Sequence, residues 1–448
     1  MHYERGLRWW PLATLSACLL AACVSDLKAI PDATIGADAT DATDDLDATG
    51  DATGPDDART DASSELPSLM PVGPGPGPNA DNASMFADGT VVTFDVDITD
   101  ADWQTLMADQ AAGVKGYVPC TFTFDGETAT SAAIRLKSNP EDWEGNKPQF
   151  VIKFNEFDAS ARFRGLRRVV LEANPSDETL IRNNLALALL RAAGVVTPRS
   201  NHARLNINGA LYGVYEHIEA VDRELLEDRY ADADGNLYKN GEELSTNEAL
   251  GDTSDLLAFD DLIFTDGVTE GGGLDSAHRE ALTGLIDMDA FILEAAAEAV
   301  LPTGDNFWSG GWNYYLYHPK GALWTIIPWD VDDVFGDVAP PDAPLLDWNG
   351  LPEVGNVRHP LMAAITADSA WRSAFLAQVA RIEADLYRTT LAELATSLCA
   401  TLRPQLEDDP NRTFELNDFD QDCGAVRAAI DARSVAIRSQ LDTLGSRR

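Results

Sequence analysis

The chain of 448 residues carries 33 basic against 74 acidic side chains, a net charge of −41, with 45% hydrophobic content. That length and apolar fraction suffice for a large buried core, and the charge excludes a nucleic-acid partner held through its phosphates. No GxxxxGK[ST] loop, GxGxxG after a strand, GxSxG elbow, HExxH or CxxC occurs, so nucleotide P-loop, dinucleotide, serine-hydrolase and zinc-enzyme readings lose their main support.

Residues 1–22 contain Arg5 and Arg8, then a short apolar stretch running to Leu20-Ala21-Ala22-Cys23. This predicts a secretory signal, too short to span a bilayer as a stable helix. Leu-Ala-Ala-Cys resembles the bacterial lipobox, which implies cleavage before Cys23, a lipid on its thiol and attachment to a membrane at the cell envelope. Val24 in place of an aspartate implies sorting to an outer membrane. Residues 23–84 are an Asp-Ala-Thr tract followed by "PVGPGPGPNA". With few large apolar side chains and repeated like charge, such a segment is expected to stay disordered and act as a tether on the order of 45 Å long. Of the cysteines left for the folded part, Cys399 and Cys423 are the expected disulfide in an oxidising compartment, with Cys120 left over.

The folded domain is expected over residues 85–448. "VVTFDVDIT" alternates as a strand, and "DADWQTLMADQAA" predicts a helix capped at Asp102. "YVPCTFTFD", "AAIRLKS", "QFVIKFNEF" and "LRRVVLEAN" predict further strands, together a meander with helical insertions. "DETLIRNNLALALLRAAG" predicts a helix stopped by Gly194, and Asn208-Gly209 marks a tight hairpin. A helical stretch through "HREALTGLIDMDAFILEAAAEAVL" leads to a loop, two strands joined at Lys320-Gly321, and amphipathic helices from His359 onward. A sheet-rich N-terminal part feeding a helical C-terminal part makes this an α+β, two-lobed body.

The chemistry concentrates near the end of "WTIIPWDVDDVFG", residues 324–336. An apolar strand ends there in Asp330, Asp332 and Asp333, and the period of two turns Asp330 and Asp332 toward one spot. They repel there unless a cation lies between them. Asp305 and Asn306 in "GDNFW" and Asn313 in "WNYYLY" complete a set of hard oxygen donors suited to magnesium or calcium.

"FRGLRRVVLEANPSDETLIRNNLALALLRAAGV", "LNINGALYGVYEHIEAVD", "GNLYK", "GDNFWSGGWNYYLY" and "WTIIPWDVDDVFG" occur in an order and spacing that resemble the spore-coat kinase (CotH) family. That resemblance implies a divergent protein-kinase-like fold that uses ATP with Mg2+ or Mn2+ to phosphorylate Ser or Thr on extracytoplasmic proteins. By position it implies Asp305 as the catalytic-loop aspartate and Asp330 as the metal-binding aspartate, with Asn313 and Asp332 in the metal shell. Lys153 is a candidate for the phosphates, with Glu219 as its ion-pair partner, and Lys147, Lys239 and Arg135 remain open for the lysine's role. Trp324 is a candidate platform for the nucleotide base. The alternative is a catalytically degenerate member of the same fold, used as a metal-binding surface scaffold or adhesion module.

Overall fold

The computed structural model describes residues 80–137, 147–309, 311–347 and 358–445. The expected signal, Cys23 and nearly all of the expected linker lie outside the described residues. A short 3₁₀ helix, Ala80–Phe86, opens the described part and already buries Met85 and Phe86.

The first lobe is built from β1 (Val91–Asp97), β2 (Val118–Phe124), β3 (Glu127–Leu136), β4 (Phe150–Lys153), β5 (Arg168–Glu172), β6 (Ser200–Ile207) and β7 (Ala210–Ile218). These close into a barrel in the order β1-β2-β3-β4-β5-β7-β6. The expected meander is therefore only half right. β1 and β6 pair in parallel, Val91 with His202 through Val96 with Ile207, and this long-range closure has no local signature in the sequence. Alternation along the strands sends Phe94, Phe122, Ile134, Phe150, Ile152 and Leu171 into the barrel, where they are buried together. Asn208 and Gly209 both take positive φ, 52° and 79°, as the β6–β7 turn requires.

Two helices interrupt these strands. α1 (Asp100–Ala112) is capped by Thr99, whose hydroxyl oxygen accepts the Asp102 amide at 3.1 Å, so the cap sits three residues before the expected one. α2 (Arg182–Ala193) starts later than its apolar period alone suggests, because the Asp177 carboxylate accepts the Thr179 and Arg182 amides, each at 3.0 Å. Gly194, at φ 102°, ends it by donating its amide to the last turn.

The second lobe begins with α3 (Arg223–Arg229), β8 (Asn236–Lys239), β9 (Glu243–Leu244), α4 (Ser254–Ile263), α5 (Ser276–Leu285) and α6 (Met288–Val300). β10 (Tyr314–His318) and β11 (Thr325–Pro328) follow, in a sheet of order β11-β10-β8-β9. The single helical stretch expected before β10 is two helices. Leu285 O and the Asp287 amide are taken by the Trp324 backbone at 3.0 and 2.9 Å, and the Asp287 carboxylate then caps α6. α7 (Pro360–Ala367), α8 (Ser369–Ile382), a π-helical stretch (Glu383–Leu391), α9 (Ala392–Glu407) and α10 (Leu416–Gly445) complete the lobe. The Cys399–Cys423 disulfide ties α9 to α10, while Cys120 is a free thiol buried in the barrel and pushed up to about 12 by that burial. Among the described residues no helix is long and apolar enough to cross a membrane.

The connection between α9 and α10 pins the helical lobe to the barrel. The Asp409 carboxylate accepts the Val214 amide at 2.8 Å and the Lys147 ammonium at 2.7 Å. Lys147 is thereby engaged between the lobes, with its ammonium 4.2 Å over the Tyr215 ring.

Candidate active site

The antiparallel pairing of β10 with β11, Tyr314 opposite Pro328, sets Asn313 beside Trp329 and Asp330. The Trp329 amide donates to Asn313 O at 3.0 Å, and Asn313 Nδ2 donates to Asp330 O at 3.1 Å. Asn313 and Asp330 both hold the left-handed backbone region, φ 59° and 54°. Hence β11 stops at Pro328, and the acidic residues are gathered by a turn instead of by strand alternation. Asp330, Asp332 and Asp333 are half-buried within it.

Their carboxyls feel one another. Burial, then the Asp330 and Asp333 carboxylates, push Asp332 well above the ordinary carboxylate range, with Asp177 and Glu172 adding to the effect. Burial pushes Asp333 up to about 6, with the Asp305, Asp337 and Asp330 carboxylates acting in the same direction and Arg182 against it. Asp305 reaches solvent from the loop after α6, yet the surrounding protein still raises its carboxyl. A side chain on Gly304 would come within 3.3 Å of Asp333 Oδ2, so this loop and the acidic turn are in close approach.

α2 supports the turn from behind. Asn183 Oδ1 accepts the Val331 amide at 3.0 Å while its Nδ2 donates to Glu216 on β7 at 3.3 Å. Arg182 donates to Val334 O at 2.5 Å. These bonds fix the acidic turn against the outer face of the barrel.

That barrel face is polar and covered. Arg135, Lys137, Lys153 and Glu172 are only 2–4% exposed, although the residues alternating with them on the strands fill the barrel interior. Lys137, the residue after β3, pairs with Glu172 at the end of β5 at 3.1 Å. Arg135 and Lys153 stand 5.3 and 5.5 Å over the Tyr117 ring. Burial raises the Tyr117 hydroxyl, and Arg135, Arg168 and Lys153 work against that rise. The Glu172 carboxylate adds to the rise at Asp332, so the Lys137–Glu172 pair lies within electrostatic reach of the acidic turn. A separate polar cavity of about 400 Å³ is lined by Asn155 and Arg168 from the barrel side and by Asp222, Thr246 and Asn247, and none of the acidic-turn residues or Lys137 and Glu172 lines it.

Lys137 and Glu172 were not singled out from the sequence. Their signal was there: Arg135 and Lys137 at alternate positions of "AAIRLK" and Glu172 closing "RVVLE", in stretches whose intervening positions are all apolar. Three expected assignments are placed differently. Glu219 does not hold Lys153, because its carboxylate is taken by Arg199 at 2.5 Å and Arg229 at 2.9 Å; burial opposes ionisation there, but the two guanidiniums more than offset it. Lys153 pairs instead with Glu156 at 3.2 Å. Trp324 is fully buried, with His318 stacked at 4.4 Å on one ring face and Phe259 and Tyr238 packed nearby, so it has no free face for a base. Lys239 is buried on β8 opposite Tyr315, on the sheet of the second lobe.

Two half-buried carboxyls raised by burial and by their neighbours, a third carboxylate and the Asn313 carboxamide oxygen are hard oxygen donors in need of positive charge. Among the described residues no three carboxyl, imidazole or thiol groups meet in a preformed metal cage. Magnesium fits such an open arrangement, since it is usually held by one or two carboxylates with waters and substrate phosphates filling the other positions.

Residues 143–437 match the family described as CotH kinase protein. The chain is also similar to the inner spore coat protein H of Bacillus subtilis (strain 168), with 24% identity over 303 residues that cover 63% of this chain and 80% of that protein. Asp305, Asn313, Asp330 and Asp332 fall inside the matched family region, whereas β1 to β3 and Lys137 precede it.

Proposed function

We propose that this chain, which belongs to the CotH kinase protein family, transfers the γ-phosphoryl group of ATP to Ser or Thr hydroxyls of envelope or surface proteins. The observation that carries the reading is the gathering of Asn313, Asp330, Asp332 and Asp333 in one turn with the Asp305 loop in close approach, within electrostatic reach of Glu172 and its partner Lys137. Phosphoryl transfer is mostly positioning and charge stabilisation, and these groups supply both. Asp305, reaching solvent with a raised carboxyl, orients the acceptor hydroxyl and takes its proton. The hydroxyl oxygen bonds to the γ-phosphorus as the bond to the bridging oxygen breaks and ADP leaves. Lys137, held by Glu172, and Lys153 face the phosphates from the barrel.

Asp330, Asn313 and Asp332 would hold Mg2+ or Mn2+. When bound, that ion neutralises the phosphate oxygens and relieves the repulsion now raising the Asp332 and Asp333 carboxyls.

A location outside the cytoplasm, with a lipid on Cys23 as the tether, is part of the same proposal. It draws support from Leu20 to Cys23, from the Cys399–Cys423 disulfide, and from the relative named as a spore coat protein. Labelled fatty acid should enter the wild-type chain in a bacterium and be absent from Cys23→Ser.

The kinase reading is tested by incubating the full chain with γ-labelled ATP and magnesium or manganese, beside calorimetric titration of magnesium-ATP. Label on the chain is expected, as is an affinity at least ~10-fold weaker in Asp330→Ala, the low end for disturbing a metal site. A folded wild type that binds metal and never transfers label would replace the kinase by a surface scaffold. Unchanged magnesium-ATP affinity in Asp330→Ala would move the ion elsewhere.

A further inference from the structure

α6 buries two glutamates one turn apart, Glu294 and Glu298, each 1% exposed. Among the described residues neither is paired with a lysine or arginine, and their spacing sets the two carboxyls on one face of α6, near enough to influence each other. Two such buried acids without a cation favour a proton on one of them. Burial favours keeping it, pushing Glu294 up to about 7 and Glu298 well above its ordinary value.

Each glutamate also holds the loop that presents Asp305. Thr303 Oγ1 donates to Glu298 Oε2 at 3.2 Å, and Trp308 Nε1 donates to Glu294 Oε2 at 2.6 Å. Asn306 closes the gap between them. Its Nδ2 donates to Thr303 Oγ1, and its Oδ1 accepts the Trp308 and Ser309 amides at 2.9 and 2.8 Å. A run of hydrogen bonds thus leads from Glu298 through Thr303, Asn306 and Trp308 to Glu294, and the turn of α6 between the two glutamates closes it into a ring. Thr303, Asn306 and Trp308 are buried, and Asp305, flanked by ring members on both sides, is the residue left facing solvent.

We propose that Glu294 and Glu298 are positioning residues that hold the Asp305 loop in its transferring geometry through this ring. The proposal rests on the kinase reading only in giving Asp305 its role. Two acids serve here because the ionised member offers Trp308 or Thr303 a charge-assisted acceptor. A glutamine at 298 can reproduce the pattern, accepting from Thr303, whereas an alanine cannot.

The test uses the full chain and the variants Glu298→Ala, Glu298→Gln and Thr303→Val, with hydrogen exchange read by mass spectrometry over residues 303–309. Glu298→Ala should speed exchange there about tenfold, the equivalent of one lost buried hydrogen bond, while exchange in α8 and the barrel stays as in wild type. Glu298→Gln should restore protection. Thr303→Val, which breaks the ring from the loop side without touching α6, should repeat the alanine result even if Glu298→Ala folds poorly. Where wild type transfers phosphate, kcat should fall in Glu298→Ala and recover in Glu298→Gln with the affinity for magnesium-ATP unchanged. Faster exchange spread evenly over the second lobe, or Glu298→Gln behaving as the alanine does, would overturn the proposal. An inactive wild type would sink the kinase reading alone, since the exchange of 303–309 still decides whether the pair holds the loop.

Discussion

Lys137 and Glu172 make separable contributions at the level of single side chains. Both are buried, so removing only the lysine takes a buried counter-charge from Glu172 and should cost about 3–5 kcal/mol of stability. Adding Glu172→Met to Lys137→Met should recover much of that loss, because a well-packed apolar pair often matches a buried ion pair. Affinity for magnesium-ATP should stay low in the double variant if Lys137 faces the phosphates. Chemical denaturation and calorimetry on the same three proteins check this, and full recovery of affinity would return the role to Lys153. Trp324 gives the opposite pattern. Trp324→Ala should cost about 3–5 kcal/mol by opening a cavity against His318 and Phe259, while the folded fraction binds magnesium-ATP as wild type does. A selective loss of nucleotide affinity in that variant would restore its place at the base.

Among the elements, α9 and α10 carry the link between the lobes, because Asp409 lies in the connection between them and takes both Lys147 and the Val214 amide. The disulfide closes 24 residues around that connection, worth about 3 kcal/mol in the chain-entropy view. Reduction should lower the melting temperature, and exchange should rise first in residues 405–416 and in β7 where it meets Asp409. An unchanged melt after verified reduction would remove the clamp role. The elements also show what the sequence discloses and what it does not. Strand alternation in β1, the Gly194 stop, the Asn208-Gly209 turn and the apolar run of β11 are local features and were legible. The parallel closure of β1 on β6, the capture of Glu219 by Arg199 and Arg229, and the Lys137–Glu172 pair join residues distant in sequence, and only the folded chain brings them together. The site was legible as residue types around Asp305 and Asp330. The left-handed backbone at Asp330 was not, since an aspartate after a strand carries no mark of its φ.

For the molecule as a whole, three histidines are kept neutral by burial: His202 lowered to about 4, and His217 and His359 to about 3. Each takes up a proton in the unfolded chain near pH 6.5 but only below about 4 in the folded one. The unfolded state therefore binds more protons in that window, and folding stability from these groups falls as pH drops from about 6.5 toward 4. For His202 alone the loss is up to about 3 kcal/mol. The raised carboxyls of Glu216 and Asp332 act in the opposite sense, losing stability as pH rises, so the informative quantity is a difference. His202→Gln, able to keep a donor toward Leu180 O, should show a shallower acid-side loss than wild type in melts between pH 7 and pH 4. Parallel curves would mean that His202 titrates in the fold as it does in the unfolded chain.

The central claim, that the convergence of Asp305 and the Asp330 turn transfers phosphate, is tested most directly by mass spectrometry of wild type and Asp305→Asn after incubation with ATP and magnesium. The substitution keeps the size and hydrogen bonding of the side chain but removes its capacity to take a proton. Phosphorylated wild type, with a loss of about 10²- to 10⁴-fold in Asp305→Asn at unchanged melting temperature and nucleotide affinity, is the predicted result. Equal phosphorylation of the two proteins, or none of wild type with magnesium, manganese or calcium, would contradict it.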